Sequence, residues 1–391
     1  MGVTWVGSVA LVLLSGCALI DASKDTPAGD GPAGLGELSF APGAISSTGQ
    51  TPKTALIAEL DGQPGVDVVV LDEVGEVLKC INEGGGVSFG VTRFPSSDGP
   101  LGGWTLLAVG DIDGNGTDDV VAGAPSVFDV LVPTADPAGF TRTQLTPPST
   151  PNAPVAIATV KLVSGALSIA LVYPANELHF FVVADPLGTP SPSPPVGLTV
   201  MAGPLARKAM VAGNILGSLE DELIATQDVD GQLLEYTGSP TFSQQSIRTI
   251  NGGSAKGLAA GDLIGDARAD VAFIGLDIGQ SGVLGIMIGN PEGLQDSNLR
   301  FGQDLVALDL ELADFDGDGR LDIAVLHRNA QFEPRLRLFT RIADSVIEQD
   351  IALEGDPQSF AAGDLNGDGR ADLLLVPGSS GVGLLLSQPA G

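Results

Sequence analysis

The sequence predicts an all-β fold, a ring of seven four-stranded units, and three observations carry that expectation. Glycine and proline number 54 and 27 among 391 residues, which demands many turns and leaves little room for long helices. Hydrophobic residues at 43% supply a sizeable core, and charged residues at 17% are too few for a disordered acidic chain. The third observation is an internal repeat of about 51 residues, a period at which radial and stacked repeat architectures occur.

The repeat is clearest at AVGDIDGNGTDDVVAGAP (108–125), LADFDGDGRLDIAVL (312–326) and AAGDLNGDGRADLLLV (361–376), with AAGDLIGDARADVAFI (259–274) slightly decayed. AELDGQPGVDVVVL (58–71), AGNILGSLEDELIAT (212–226) and ATVKLVSGALSIALV (158–172) are weaker copies in the same frame. The first loop positions fall at 59, 111, 160, 214, 262, 314 and 364, so the spacings are 52, 49, 54, 48, 52 and 50. Seven such units account for residues 37–391.

Each unit reads as an apolar strand ending in small residues, an acidic loop, a Val/Ile/Leu strand, a turn and two alternating strands. In the sixth unit these are LVALDLELAD, IAVLHR, PRLRLFTR and SVIEQDIAL. Four-stranded units of this length repeated radially are the blades of a β-propeller, and small residues such as Ala361-Ala362-Gly363 suit its crowded innermost strands. The Pro-rich stretch 146–154 reads as a blade connection, and 186–195 as a long turn between the third and fourth strands of blade three. Blade seven lacks a fourth strand before the chain stops, while GELSFAPGAISS (36–47) is strand-like with no blade of its own. An unpaired edge is a liability, so this segment is expected to complete blade seven and fasten the ring.

The loops follow D-x-[DN]-x-[DN]-G-x-x-D, in which oxygens at positions 1, 3, 5 and 9 can converge on one hard cation and glycines let the chain curl around it. Oxygen-only ligation points to Ca²⁺ over zinc or copper. An EF-hand would need a Glu at position 12 and flanking helices; here position 12 is Ala122, Val325 or Leu375 and the flanks are strands. The complete sets are Asp111, Asp113, Asn115 and Asp119; Asp314, Asp316, Asp318 and Asp322; and Asp364, Asn366, Asp368 and Asp372. Blade five keeps Asp262, Asp266 and Asp270 with Ile264 at position 3, and Glu59, Asp61, Gln63 and Asp67 form a weaker set in blade one. Blades three (Val160, Leu162, Ser164, Ser168) and four (Asn214, Leu216, Ser218, Glu222) read as metal-free turns. Three to five structural calcium ions are expected.

These loops and their strands resemble the FG-GAP/VCBS repeats of integrin α-subunit propellers and of many bacterial surface proteins. Blade two carries both name-giving ends, Phe89-Gly90 and Gly123-Ala124-Pro125, and Phe301-Gly302 precedes the loop of blade six. The resemblance spans about residues 37–391 and implies a calcium-supported propeller with its metal loops on one face. It does not imply a ligand, because the repeat serves adhesion, lectin-like, enzymatic and scaffold proteins.

Residues 2–20 are uncharged and apolar enough for a signal-peptide core, and Leu14-Ser15-Gly16-Cys17 resembles a bacterial lipobox. The expectation is a leader over 1–16, a lipidated Cys17, a flexible tether to residue 36, and display on the bacterial envelope as a monomer. An uncleaved signal anchor and a plain secretory signal are the alternatives. Cys80 is the other cysteine and has no expected partner. With 48 acids against 18 bases, the net charge of −30 repels phosphate backbones and anionic lipids, which excludes nucleic acid and limits membrane contact to the lipid anchor. Two His (His179, His327) and two Tyr leave few groups for acid–base chemistry. No residue is assigned a catalytic role; the expected function is a binding, adhesion or scaffold module for a protein or glycan ligand. A polysaccharide lyase or hydrolase, or a lectin, built on the same propeller is the alternative.

Overall fold

The computed structural model describes residues 39–45, 51–94 except 64 and 87, 103–145 except 125–127 and 135–138, 156–182 except 162–166 and 173–177, 210–249 except 219, 228–231 and 238–242, 254–301 except 277–281, and 306–388 except 341, 343–345 and 378–380. The lipobox, the tether and both Pro-rich stretches lie outside the described residues. Among those described there is no helix, and so none long and apolar enough to cross a membrane.

Strand β1 (Ser39–Ile45) precedes blade one, β2–β5 (Pro52–Ala58, Asp67–Asp72, Val77–Asn82, Phe89–Phe94). Blade two is β6–β9 (Leu106–Gly110, Asp119–Gly123, Phe128–Pro133, Phe140–Leu145). The third sheet is β10–β12 (Ala156–Lys161, Leu167–Val172, Leu178–Val182). Blade four is β13–β16 (Met210–Gly213, Glu222–Gln227, Gln232–Thr237, Ser243–Thr249), and blade five is β17–β20 (Ser254–Gly261, Asp270–Leu276, Gly282–Ile288, Gln295–Phe301). Blade six is β21–β24 (Val306–Ala313, Asp322–Arg328, Pro334–Thr340, Ile347–Ala352); β25–β27 (Pro357–Gly363, Asp372–Pro377, Val382–Gln388) form blade seven with β1. All neighbours pair antiparallel, and β1 runs along β27 from Ser39 opposite Gln388 to Ile45 opposite Val382.

The chain is therefore an all-β propeller with six complete four-stranded blades, where seven were expected. The third sheet shows three strands, and the place for its fourth falls beyond residue 182, outside the described residues. The first strands face one another in the order β2, β6, β10, β13, β17, β21, β25 and back to β2.

The core is a set of seams between blades. Val69, Leu71, Trp104, Val109 and Val120 fill the seam between blades one and two, while Phe315, Leu326, Phe360 and Leu373 fill that between six and seven. Strand alternation explains this: each sheet is buried on both faces, so the second strands read as unbroken apolar runs such as Val68–Leu71 and Ile323–Leu326. The glycine closing an innermost strand answers to the next blade. A Cβ on Gly261 would stand 2.5 Å from Leu321 Cδ1, and one on Gly363 would stand 3.0 Å from Ile57 Cδ1.

One register differs from expectation. In blade three β10 runs through Val160 to Lys161, which pairs with Leu167, so Val160 is a strand residue and not the first loop position. Lys161 takes that role, because its carbonyl accepts the Asp221 N–H of the next blade's loop at 2.9 Å. The loop has no carboxylate to hold an eight-residue turn, and the strand pairing extends instead.

Candidate metal loops

Each acidic loop joins the first and second strands of its blade, and one backbone shape recurs. The fourth loop residue is a glycine with φ of +71 to +79° in blades one, two, four, five, six and seven (Gly62, Gly114, Gly217, Gly265, Gly317, Gly367), a left-handed conformation that costs an L-residue about 1–2 kcal/mol.

The first carboxylate is a hub for backbone N–H groups. Asp314 accepts from Gly317 and Asp318 on Oδ1 (2.7 and 3.1 Å) and from Gly319 on Oδ2 (2.8 Å), and Asp364 and Asp262 repeat the pattern. Asp111 accepts from Asn115 and Gly116, and Glu59 from Gly62. The ninth carboxylate opens the second strand and staples the loop from below. Asp119 Oδ2 accepts from Ile112 and Asp113 (2.9 and 3.1 Å), Asp322 from Phe315 and Asp316, and Asp372 from Leu365 and Asn366. Asp67 and Asp270 take the second-position N–H (Leu60, Leu263), and Glu222 takes those of Ile215 and Leu216. The staple thus serves even blade four, whose loop lacks the other acids. Its position-nine acid was visible in the repeat, but a hydrogen-bonding role has no sequence signature distinct from ligation.

Neighbouring loops are tied together. The eighth-position N–H donates to the first-position carbonyl of the preceding loop: Asp118 to Glu59 at 2.5 Å, Ala269 to Asn214 at 2.8 Å and Ala371 to Asp314 at 2.7 Å. Arg370 and Arg268 lie across the seam, so that a Cβ on Gly317 or Gly217 of the preceding loop would sit 3.1 or 3.0 Å from them.

Three loops gather carboxylates closely enough for one ion. Ligand oxygens of Asp111, Asp113 and Asp119, of Asp314, Asp316 and Asp318, and of Glu59, Asp61 and Asp67 each lie within 4.8 Å of one another. Asn115 accepts from Thr117 and adds an amide oxygen at the rim of the first set. Asp322 sits beneath the second set as its staple, and Gln63 donates its N–H to Asp61 in the third. In blade seven Asp364, Asp368 and Asp372 surround Asn366, whose Nδ2 donates to Asp368 at 3.2 Å and Asp372 at 3.4 Å. A half-turn of that amide presents its oxygen instead. Blade five is not such a group: Asp266 is paired with Arg268 at 2.7 Å.

Electrostatics separate the loops further. Burial, then the charge of Asp113, pushes Asp119 up to about 7; burial raises Asp67 and Asp270 to about 6 and Asp314 and Asp372 above the usual carboxylate range. Asp119 is fully buried, and its Oδ1 has no hydrogen-bond partner. A buried carboxylate oxygen without a donor, facing two further carboxylates, is the arrangement a hard cation satisfies. The residues of blade two therefore fit calcium, which would be held by Asp111, Asp113 and Asp119 and would act as a clip between strands.

Residues 314–375 match the family model of the FG-GAP-like repeat. The match runs from the acidic loop of blade six into the second strand of blade seven, more than one period of the propeller and including both acidic loops. No curated protein matches the chain.

Proposed function

We propose that this protein is a non-catalytic binding, adhesion or scaffold module, a seven-bladed propeller stabilised by calcium and closed by β1 as the outer strand of blade seven. The observation that carries this reading is the set of main-chain hydrogen bonds between neighbouring loops, blade one to two, three to four to five and six to seven, which braces the loops for display. An FG-GAP-like propeller suggests such a module at the level of fold. Beside the blade-one loop, Asp61, Gln63, Lys79, Thr117 and Thr134 line a cleft of about 470 Å³ between blades one and two, which is within the size range of small-ligand sites.

The metal in this reading is structural, held by the three carboxylate groups and by the loop of blade seven. At millimolar calcium and extracellular-type affinities each site stabilises the ring by about 0.4–1.4 kcal/mol. The apolar segment and Leu14-Ser15-Gly16-Cys17 support export and a lipid anchor on the bacterial envelope, with the stretch to residue 36 as tether. The partner is a protein or a glycan.

A pull-down with calcium present and then chelated tests the function. A specific, calcium-dependent partner supports the module; turnover of a polysaccharide overturns it in favour of a lyase or hydrolase.

A further inference from the structure

The innermost strand of blade six departs from its counterparts. Three residues before the first loop position stand Ala108, Ala259 and Ala361 in blades two, five and seven, but Glu311 in blade six; five residues before stand Leu106, Gly257 and Ser359, but Asp309 in blade six. Two acids have entered a strand built elsewhere from small or apolar residues.

Both lie on the face of β21 turned to blade seven. Leu310 and Leu312, which alternate with them, pack in the seam with blade five, and the Phe360 N–H of blade seven donates to Asp309 Oδ2 at 3.1 Å. Asp309 Oδ1 accepts from Leu310 at 3.0 Å. Glu311 is 1% exposed, and its Oε1 has no hydrogen-bond partner. No cationic side chain pairs with either carboxylate among the described residues, and the charge acting on Glu311 is that of Asp309. Burial raises Asp309 to about 7; burial and then Asp309 push Glu311 well above the carboxylate range.

Two carboxylates enclosed together have two ways to relieve their repulsion, a shared proton or a cation. A proton would leave Glu311 Oε1 without a hydrogen-bond partner, as it stands among the described residues. A cation seated at Oε1 satisfies that oxygen and neutralises both groups. We propose that Asp309 and Glu311 hold a divalent cation in the seam between blades six and seven, separate from the acidic loops. Their combined charge matches a divalent ion, and an all-oxygen donor set selects a hard one such as Ca²⁺ or Mg²⁺.

The test counts ions on the full-length chain by native mass spectrometry, after chelation and titration with CaCl₂. Glu311→Gln keeps the side chain's size and removes its charge, and is expected to bind one ion fewer than the parent. In a background of Asp61→Asn, Asp113→Asn, Asp316→Asn and Asp368→Asn, one ion is expected to remain, its affinity falling tenfold or more on adding Glu311→Gln. An unchanged count in Glu311→Gln overturns the proposal and leaves a protonated or hydrated pair. If Glu311→Gln does not fold, Glu311→Ala, which restores the residue of blades two, five and seven, gives the same reading. Loss of ions in the loop background alone, with Glu311→Gln silent, overturns this site while keeping the calcium loops; the reverse pattern separates the two in the other direction.

Discussion

Position nine has two possible roles, staple and ligand, and blade four separates them. Glu222 is fully buried and accepts Ile215 and Leu216 N–H groups on Oε2, while its Oε1 has no partner. Burial raises it from 4.5 to about 7, with smaller contributions from Glu220 and Asp221. The raised value means that the folded chain binds this proton more tightly than the unfolded one. Stability from protonated Glu222 is thus fully present below about pH 4.5 and is lost as pH rises through about 7. Between pH 5.5 and 7.5 the folded group passes from mostly protonated to mostly ionised, while the unfolded group is ionised throughout, and the loss is about 2 kcal/mol. Glu222→Gln keeps an oxygen for the two N–H groups and removes the titration. The assay is denaturant unfolding of both proteins in chelator across that pH range. The constant offset between them depends on what the new amide meets, but their difference should shift by about 2 kcal/mol in favour of the variant from pH 5.5 to 7.5. Parallel profiles would refute burial as the cause of the shift. A calcium-dependent slope would show instead that this loop holds an ion.

Five further outcomes are expected. Asp113→Asn and Asp316→Asn should each remove one bound calcium by metal analysis, and chelation should lower the parent's thermal midpoint; a parent that binds none overturns the loop assignment. Ala267, at φ +66° where blades two, six and seven have Gly116, Gly319 and Gly369, should be relieved by Ala267→Gly, stabilising the chain by up to about 1 kcal/mol in denaturant unfolding. Deleting residues 37–47 removes the partner of β27 and should cost several kcal/mol and promote association, whereas deleting 20–34 should be neutral by the same melting assay. Cys80 is buried and its thiol is pushed up to about 12, so a thiol reagent should label it only on unfolding, and Cys17→Ala should release the chain from the membrane fraction.

What the sequence made legible was whatever the backbone requires at a fixed offset. Gly at loop position four and the carboxylates at one and nine recur because each answers a backbone need, a left-handed turn, a cluster of N–H donors and a staple. Strand boundaries followed wherever these residues were present, so the elements of blade six coincide with the expected ones. Where they are absent, as at Val160–Lys161, nothing in the sequence halts the strand pairing, and the expected frame slipped by one residue.

Ligation was less legible than fold, because the same oxygen can serve a backbone donor or an ion. Blade five and blade one looked alike in the sequence, yet Arg268 draws Asp266 away while no such cation reaches Asp61 among the described contacts, and Asp61 stays with Glu59 and Asp67. Arg268 stands at loop position seven, which the metal pattern leaves unspecified and where blades six and seven also carry arginine. Arg268 and Arg370 occupy that position and each lies against the preceding loop, so the charge on one blade's loop is set partly by its neighbour. Metal affinity in this ring is accordingly a property of adjacent pairs of repeats: replacing Arg268 by a neutral residue frees Asp266, and would alter two loops at once.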